Sequence, residues 1–263
     1  MGEKKKYHRG RRQKKKGGII STLILIVAIA VFCVSGYQLY QIFSGYHKGQ
    51  SEYDKVREAV VESDEEADAD DFAVNFDELK KINADTVGWI RFYPEPSNIN
   101  YPLVQTTDND LYLNRTFSAN ENTVGAIFVN CDNASDFSDR NTIIYGHRMK
   151  DHSMFHDLEK YDDESFWKEN PYFYIYTPDG RKLTCHIYSC GIVKDTSSTY
   201  LTQFESDEAY QEFLDDTKRA GAYNTGVEVT TDQRVVTLST CTAASDDNRM
   251  VVRGVIESEE QVK

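Results

Sequence analysis

The chain opens on polar and basic residues, and then residues 17–37 (GGIISTLILIVAIAVFCVSGY) run without a single charge. At 1.5 Å of rise per residue, about twenty such residues span roughly 30 Å, the depth of a bilayer's hydrocarbon core. From 38 to 74 the pattern turns polar and acidic, including VESDEEADADD. It predicts a solvated spacer with a helical stretch over 51–61. Beyond it, apolar positions recur in short runs rich in β-branched and aromatic residues: TVGWIRFY, INYPLV, VGAIFVN and NTIIYGH. These read as strands. PYFYIYTPDGRKLTCHIYSC reads as two more around a T-P-D-G-R turn, and RVVTL and MVVRGVI complete the set. Helical spacing marks 76–83, 154–161 and 164–169, and 206–220 adds a Ser-Asp-Glu start signal. Roughly eight strands with few helices predict a mainly β fold, a closed or nearly closed β-barrel. N-terminal helices precede it, and one helix is inserted before the RVVTL strand. The expected organisation is a basic tail (1–16), a membrane anchor (17–37), an acidic spacer (38–74) and a globular domain (75–263).

Charge sharpens this picture. Residues 1–16 carry nine Lys/Arg against one acid, whereas the rest of the chain carries 21 basic and 42 acidic residues. An acidic bulk argues against a nucleic-acid partner, which needs basic surface to neutralise phosphates. The basic cluster before the apolar run predicts a cytoplasmic N-terminus, with the globular domain outside a single-pass anchor in the cell membrane. A cleavable signal peptide is the rival, but its apolar region is shorter and ends in a small-x-small site that is not evident here. Of the five cysteines, Cys33 lies in the apolar run. Cys185 and Cys190 are an odd number of residues apart in one strand, so they are expected on opposite faces and unlinked. No CxxC spacing suggests zinc, and neither a metal nor another cofactor is expected.

The chemistry concentrates in TLSTCTAASDDNR, residues 237–249. Cys241 is expected where a strand ends and side chains meet solvent. A free cysteine is most often a small buried hydrophobe; a nucleophilic one needs a base or cation nearby and a path for substrate. His147, just after Gly146 at the end of NTIIYGH, is the best-placed partner. His47 falls in the spacer and His186 within a strand. His152 and His156 are spaced like a helical metal pair, yet no third ligand stands out, so they read as surface histidines. If the strands flanking TAASDDN are antiparallel, Arg249 starts at the sheet end where Cys241 finishes. Its guanidinium can favour the thiolate or grip carbonyl oxygens as negative charge develops. Arg253 faces the same side about 13 Å further along the strand and is the rival. A salt bridge to the Asp246–Asp247 pair is the alternative role for either arginine.

TLSTC followed by Arg249, with YGH upstream, resembles the signature of the sortases, cysteine transpeptidases of Gram-positive cell envelopes. The segment GHRMKDHSMFHDLEKY and the helix before the cysteine strand resemble class B, including its clostridial-type members. The resemblance implies an eight-stranded sortase-like barrel. In it Cys241 attacks a C-terminal sorting motif of a secreted protein, His147 protonates the departing amine, and Arg249 stabilises the oxyanion. It further implies a thioester acyl-enzyme, resolved by an amino group on a peptidoglycan stem peptide or its lipid-linked precursor. Asn109 and Leu113 in DNDLYLNRTF, together with Tyr145 and Ser239, match positions that contact the sorting motif in class B relatives. Period-two spacing places Tyr145 with His147, and Ser239 with Cys241, on one face. Ordinary strand-face packing is the alternative for these four. The competing functions are a cysteine endopeptidase releasing to water and a non-catalytic membrane-anchored adhesion or scaffold domain.

Overall fold

The structure, a computed structural model, describes residues 18–63, 68–245 and 247–262. It divides into two units, residues 1–44 and 45–263. Helix α1 (Gly18–Val60) begins in the first unit, where its large apolar side chains, such as Ile20, Leu23, Ile24 and Phe32, are exposed. By length and composition this helix is apolar enough to cross a membrane.

In the second unit, Tyr53, Val56 and Val60 of α1 recur at helical spacing and are all buried in the main core, joined by Phe72. Packing therefore reaches back well before residue 75, where the globular domain was expected to start. Among the described residues of this segment, Asp54, Glu58, Glu62, Asp68, Asp70 and Asp71 are exposed while a thin apolar stripe turns inward. Helix α2 (Phe76–Ile82) follows, capped by Asn75, whose side chain accepts from the Glu78 N–H, and it buries Leu79.

Eight strands then form a closed barrel: β1 (Thr86–Phe92), β2 (Asn100–Val104), β3 (Ile127–Val129), β4 (Asn141–Tyr145), β5 (Tyr172–Tyr176), β6 (Arg181–Lys194), β7 (Val235–Cys241) and β8 (Asn248–Gln261). Their order around the barrel is β1-β2-β3-β4-β7-β8-β6-β5. Two pairs, β2 with β3 and β4 with β7, are parallel. A parallel pair needs a long crossover. The one from β4 to β7 carries α3 (Glu164–Glu169), the β5–β6 hairpin and α4 (Asp207–Arg219). Helix α4 is the insertion expected before the cysteine strand. Ser206 caps it by accepting from the Ala209 N–H, and Tyr210, Phe213 and Leu214 pack with Tyr188, Val235 and Val255 in a second apolar cluster.

Two local expectations change. The helix expected over 154–161 is a 3-10 helix, His156–Asp162, entered after Met154 in a left-handed conformation (φ +58°). Cys185 and Cys190 do not sit on opposite faces; both belong to the main core. The pairing of β6 with β8 slips between Ile187 and Ser189, a bulge that restores Cys190 to the side Cys185 occupies. Both remain free thiols.

Candidate active site

The strand pairings bring the sequence's chemistry to one end of the barrel. β4 runs parallel to β7 with Tyr145 opposite Ser239, so the residues following them, Gly146–His147 and Thr240–Cys241, come to the same end of the barrel. β8 returns antiparallel to β7, and Cys241, the last residue of β7, pairs directly with Arg249. The rival arginine is placed elsewhere. Arg253 pairs with Thr237, is fully buried, and donates to Ser189 Oγ (3.0 Å) and Thr199 Oγ1 (2.7 Å). Burial pulls its guanidinium below the ordinary value.

A cleft of about 240 Å³ opens at this end, lined by His147, Cys241, Arg249, Asn109, Leu113, Tyr145 and Ser239. These seven residues, named from the sequence for catalysis or motif binding, all line the one cleft. Phe128, Gly146 and Thr240 also line it. Cys241 is exposed, while its strand neighbours Ser239 and Thr240 are buried. That contrast is what a thiol reached by substrate requires. Arg249 is three-quarters shielded, with Asp195 Oδ2 3.8 Å from its Nη2 and the Asn248 carbonyl 3.0 Å from Nη1. Asp246 lies outside the described residues.

His147 is held from two sides. Its Nε2 lies 2.6 Å from the Leu113 carbonyl oxygen. A carbonyl only accepts, so Nε2 carries the proton and Nδ1 is left for proton exchange. Gly125, in the left-handed region (φ +67°), lies so close that a Cβ there would come within 2.7 Å of the His147 ring. Only glycine meets both demands. The Gly125 carbonyl in turn accepts from the buried Tyr53 hydroxyl (2.7 Å), which itself accepts from the Phe117 N–H (3.1 Å). Helix α1 is thus linked to the imidazole by one hydrogen bond, from Tyr53 to Gly125, and by the close approach of Gly125 to the ring.

The remaining candidates form the walls. Asn109 Oδ1 accepts from the Cys131 N–H (2.9 Å), which orients its amide. The Tyr145 ring stacks on Tyr200 (centroids 6.2 Å apart), and burial pushes its hydroxyl up to about 12. The Tyr200 hydroxyl meets Ser239 Oγ at 2.9 Å. Tyr200, Gly125 and the Leu113 carbonyl are functional neighbours the sequence reading missed. Of these, only the Val-Gly-Ala context of Gly125 left a readable signal. His152 and His156, read as surface residues, differ: His156 is buried, and neither belongs to an α-helix.

Comparison with known proteins identifies the family and the fold. The sortase domain family matches residues 95–257. Sortase B of Listeria monocytogenes serovar 1/2a is 34% identical over 227 residues, covering 81% of this chain and 90% of the relative. The crystal structure of sortase B from B. anthracis in complex with AAEK1 has a TM-score of 0.71 at 33% identity, covering 82% of this chain and 99% of that one. A Staphylococcus aureus sortase B–substrate complex has a TM-score of 0.65 at 31% identity, covering 87% and 99%. The chain belongs to the sortase family, as a cysteine transpeptidase of the class B type.

Proposed function

We propose that this transpeptidase works from outside a single membrane anchor and joins secreted proteins to peptidoglycan through Cys241, His147 and Arg249. The Cys241 thiolate attacks the backbone carbonyl of a C-terminal sorting motif, of the Asn-Pro-x-Thr-Asn kind that class B relatives commonly use. Negative charge then develops on the carbonyl oxygen. Arg249 meets it with a permanently charged, forked donor set. His147 gives a proton to the departing amine, so the C–N bond breaks and a thioester to Cys241 remains. An amino group of a peptidoglycan stem peptide or its lipid-linked precursor attacks the thioester, returning the thiol and forming the new amide. Asn109, Leu113, Tyr145 and Ser239 hold the motif against the cleft wall. The exposed apolar face of α1 and the basic tail before it support anchoring with the N-terminus in the cytoplasm.

The observation that carries this reading is the direct pairing of Cys241 with Arg249, with His147 lining the same cleft. The test is product analysis of a sorting peptide incubated with the full chain in detergent micelles, with and without an added amine. Transfer to the amine should grow at the expense of the hydrolysed product. Hydrolysis that ignores the amine would make the protein an endopeptidase instead.

A further inference from the structure

We propose that His152, His156 and Asp157 form a binding site for one divalent transition-metal ion, zinc by its donor set. One ligand atom from each of these residues lies within 4.8 Å of the others, and this is the sole such His/Cys/carboxylate group among the described residues. His156 is buried at the start of its 3-10 helix, and its Nδ1 bonds to the Met149 carbonyl. That bond fixes the tautomer and leaves the Nε2 lone pair free, the arrangement in which metal-ligating histidines are held. The His152 ring stands 4.0 Å from the His156 ring, centroid to centroid, on a left-handed residue (φ +66°). Its Nδ1 is 3.0 Å from Asp157 Oδ1.

These distances suit coordination. Ligands at 2.0–2.1 Å around a tetrahedral zinc stand about 3.3 Å apart, so the His152–Asp157 edge is nearly closed already. The other two edges, within 4.8 Å, would close by side-chain torsions of His152 and Asp157 toward the anchored His156. Asp157 Oδ2 bonds to Lys160 Nζ at 2.9 Å. A ligating carboxylate commonly keeps such an outer partner on its second oxygen. The charge of Lys160 opposes a cation; in the adjoining cavity Arg57 is paired with Asp54 (3.0 Å), which leaves Glu95 and Asp151, beside His152 and Asp157, to offset it. Two imidazoles and one carboxylate select zinc over calcium or magnesium, with a fourth position left to water.

The site would staple the segment that leaves the candidate acid/base. The Phe155 N–H, one residue before His156, donates to the His147 carbonyl (2.9 Å), and Arg148 bridges to Met154. The experiment is zinc titration of the untagged full chain in detergent micelles, read by calorimetry and by metal content after dialysis. A Cys241→Ala background removes the active-site thiol as a competing ligand. One equivalent should bind saturably and raise the melting temperature by mass action. His156→Ala and the solvent-exposed His152→Ala should each weaken binding at least tenfold, while His186→Ala leaves it unchanged. Absence of saturable zinc, or a folded His152→Ala that binds as tightly as the parent, would overturn the proposal.

Discussion

The hydroxyl of Tyr53 offers a sharp perturbation, because it sits in a segment whose acidity reads as dispensable. In Tyr53→Phe the ring stays and one oxygen goes. The Gly125 carbonyl loses its donor at 2.7 Å and the Phe117 N–H loses its acceptor at 3.1 Å. Each buried polar group left unpaired costs about 1–3 kcal/mol, so the pair should cost roughly 2–6 kcal/mol. For a domain of this size that is a melting temperature lower by roughly 4–24 °C. Deleting the segment does more. A chain beginning at residue 73 loses Tyr53, Val56, Val60 and Phe72 from the core. At about 1.5–3 kcal/mol per large apolar side chain, the loss is about 6–12 kcal/mol, an upper estimate comparable to a whole domain's stability. A chain beginning at Gly45 keeps all four. The assay is thermal unfolding of the parent, Tyr53→Phe and the two truncations, with peptide turnover measured below every melting point. Turnover of Tyr53→Phe should also fall, because the Gly125 turn loosens against His147. A melting temperature within about 1 °C of the parent for Tyr53→Phe, or cooperative unfolding of the chain begun at residue 73, would refute the reasoning.

Arg249→Lys should lower kcat/KM about 10²–10³-fold with little change in melting, since a lysine cannot reproduce the fork that grips developing charge. Arg253→Lys should do the reverse. It should lose about 1–3 kcal/mol of stability through its bonds to Ser189 and Thr199, and kcat/KM below the melting point should stay within a few-fold of the parent. Stopped assays on a quenched sorting peptide, paired with melting curves, separate the two. Cys131→Ala, Cys185→Ala and Cys190→Ala should each retain turnover. Cys190→Ala should be the less stable beside Cys131→Ala, because its buried thiol meets the Tyr223 hydroxyl at 2.9 Å. Gly125→Ala should be both destabilised and slow, since its Cβ would strike the His147 ring from a left-handed backbone.

The strand ends were legible because two period-two runs flank TAASDDN and a glycine precedes His147. Those local marks survive any packing. The barrel and the inserted helix followed from counting such runs. What escaped the sequence lies in interactions that leave no local mark. Tyr53, Val56 and Val60 are diluted by charged neighbours in YDKVREAV, so the stripe is too thin to signal a core. Parity failed between Cys185 and Cys190 because one bulge residue shifts every later side chain to the other face. Asp157 was overlooked as a companion to His152 and His156 because helical spacing was sought, whereas His152 sits in a left-handed turn. The Leu113 contact to His147 runs through a backbone carbonyl, which any residue supplies.

Transfer by this route requires Cys241 to carry the acyl group. Intact-mass spectrometry of the full chain, quenched in acid during turnover of a sorting peptide, measures this directly. The protein should gain the mass of the acyl fragment, hydroxylamine should release it, and peptide mapping should place it on Cys241 alone. An adduct on Cys131, or turnover without any thioester on Cys241, would contradict the account.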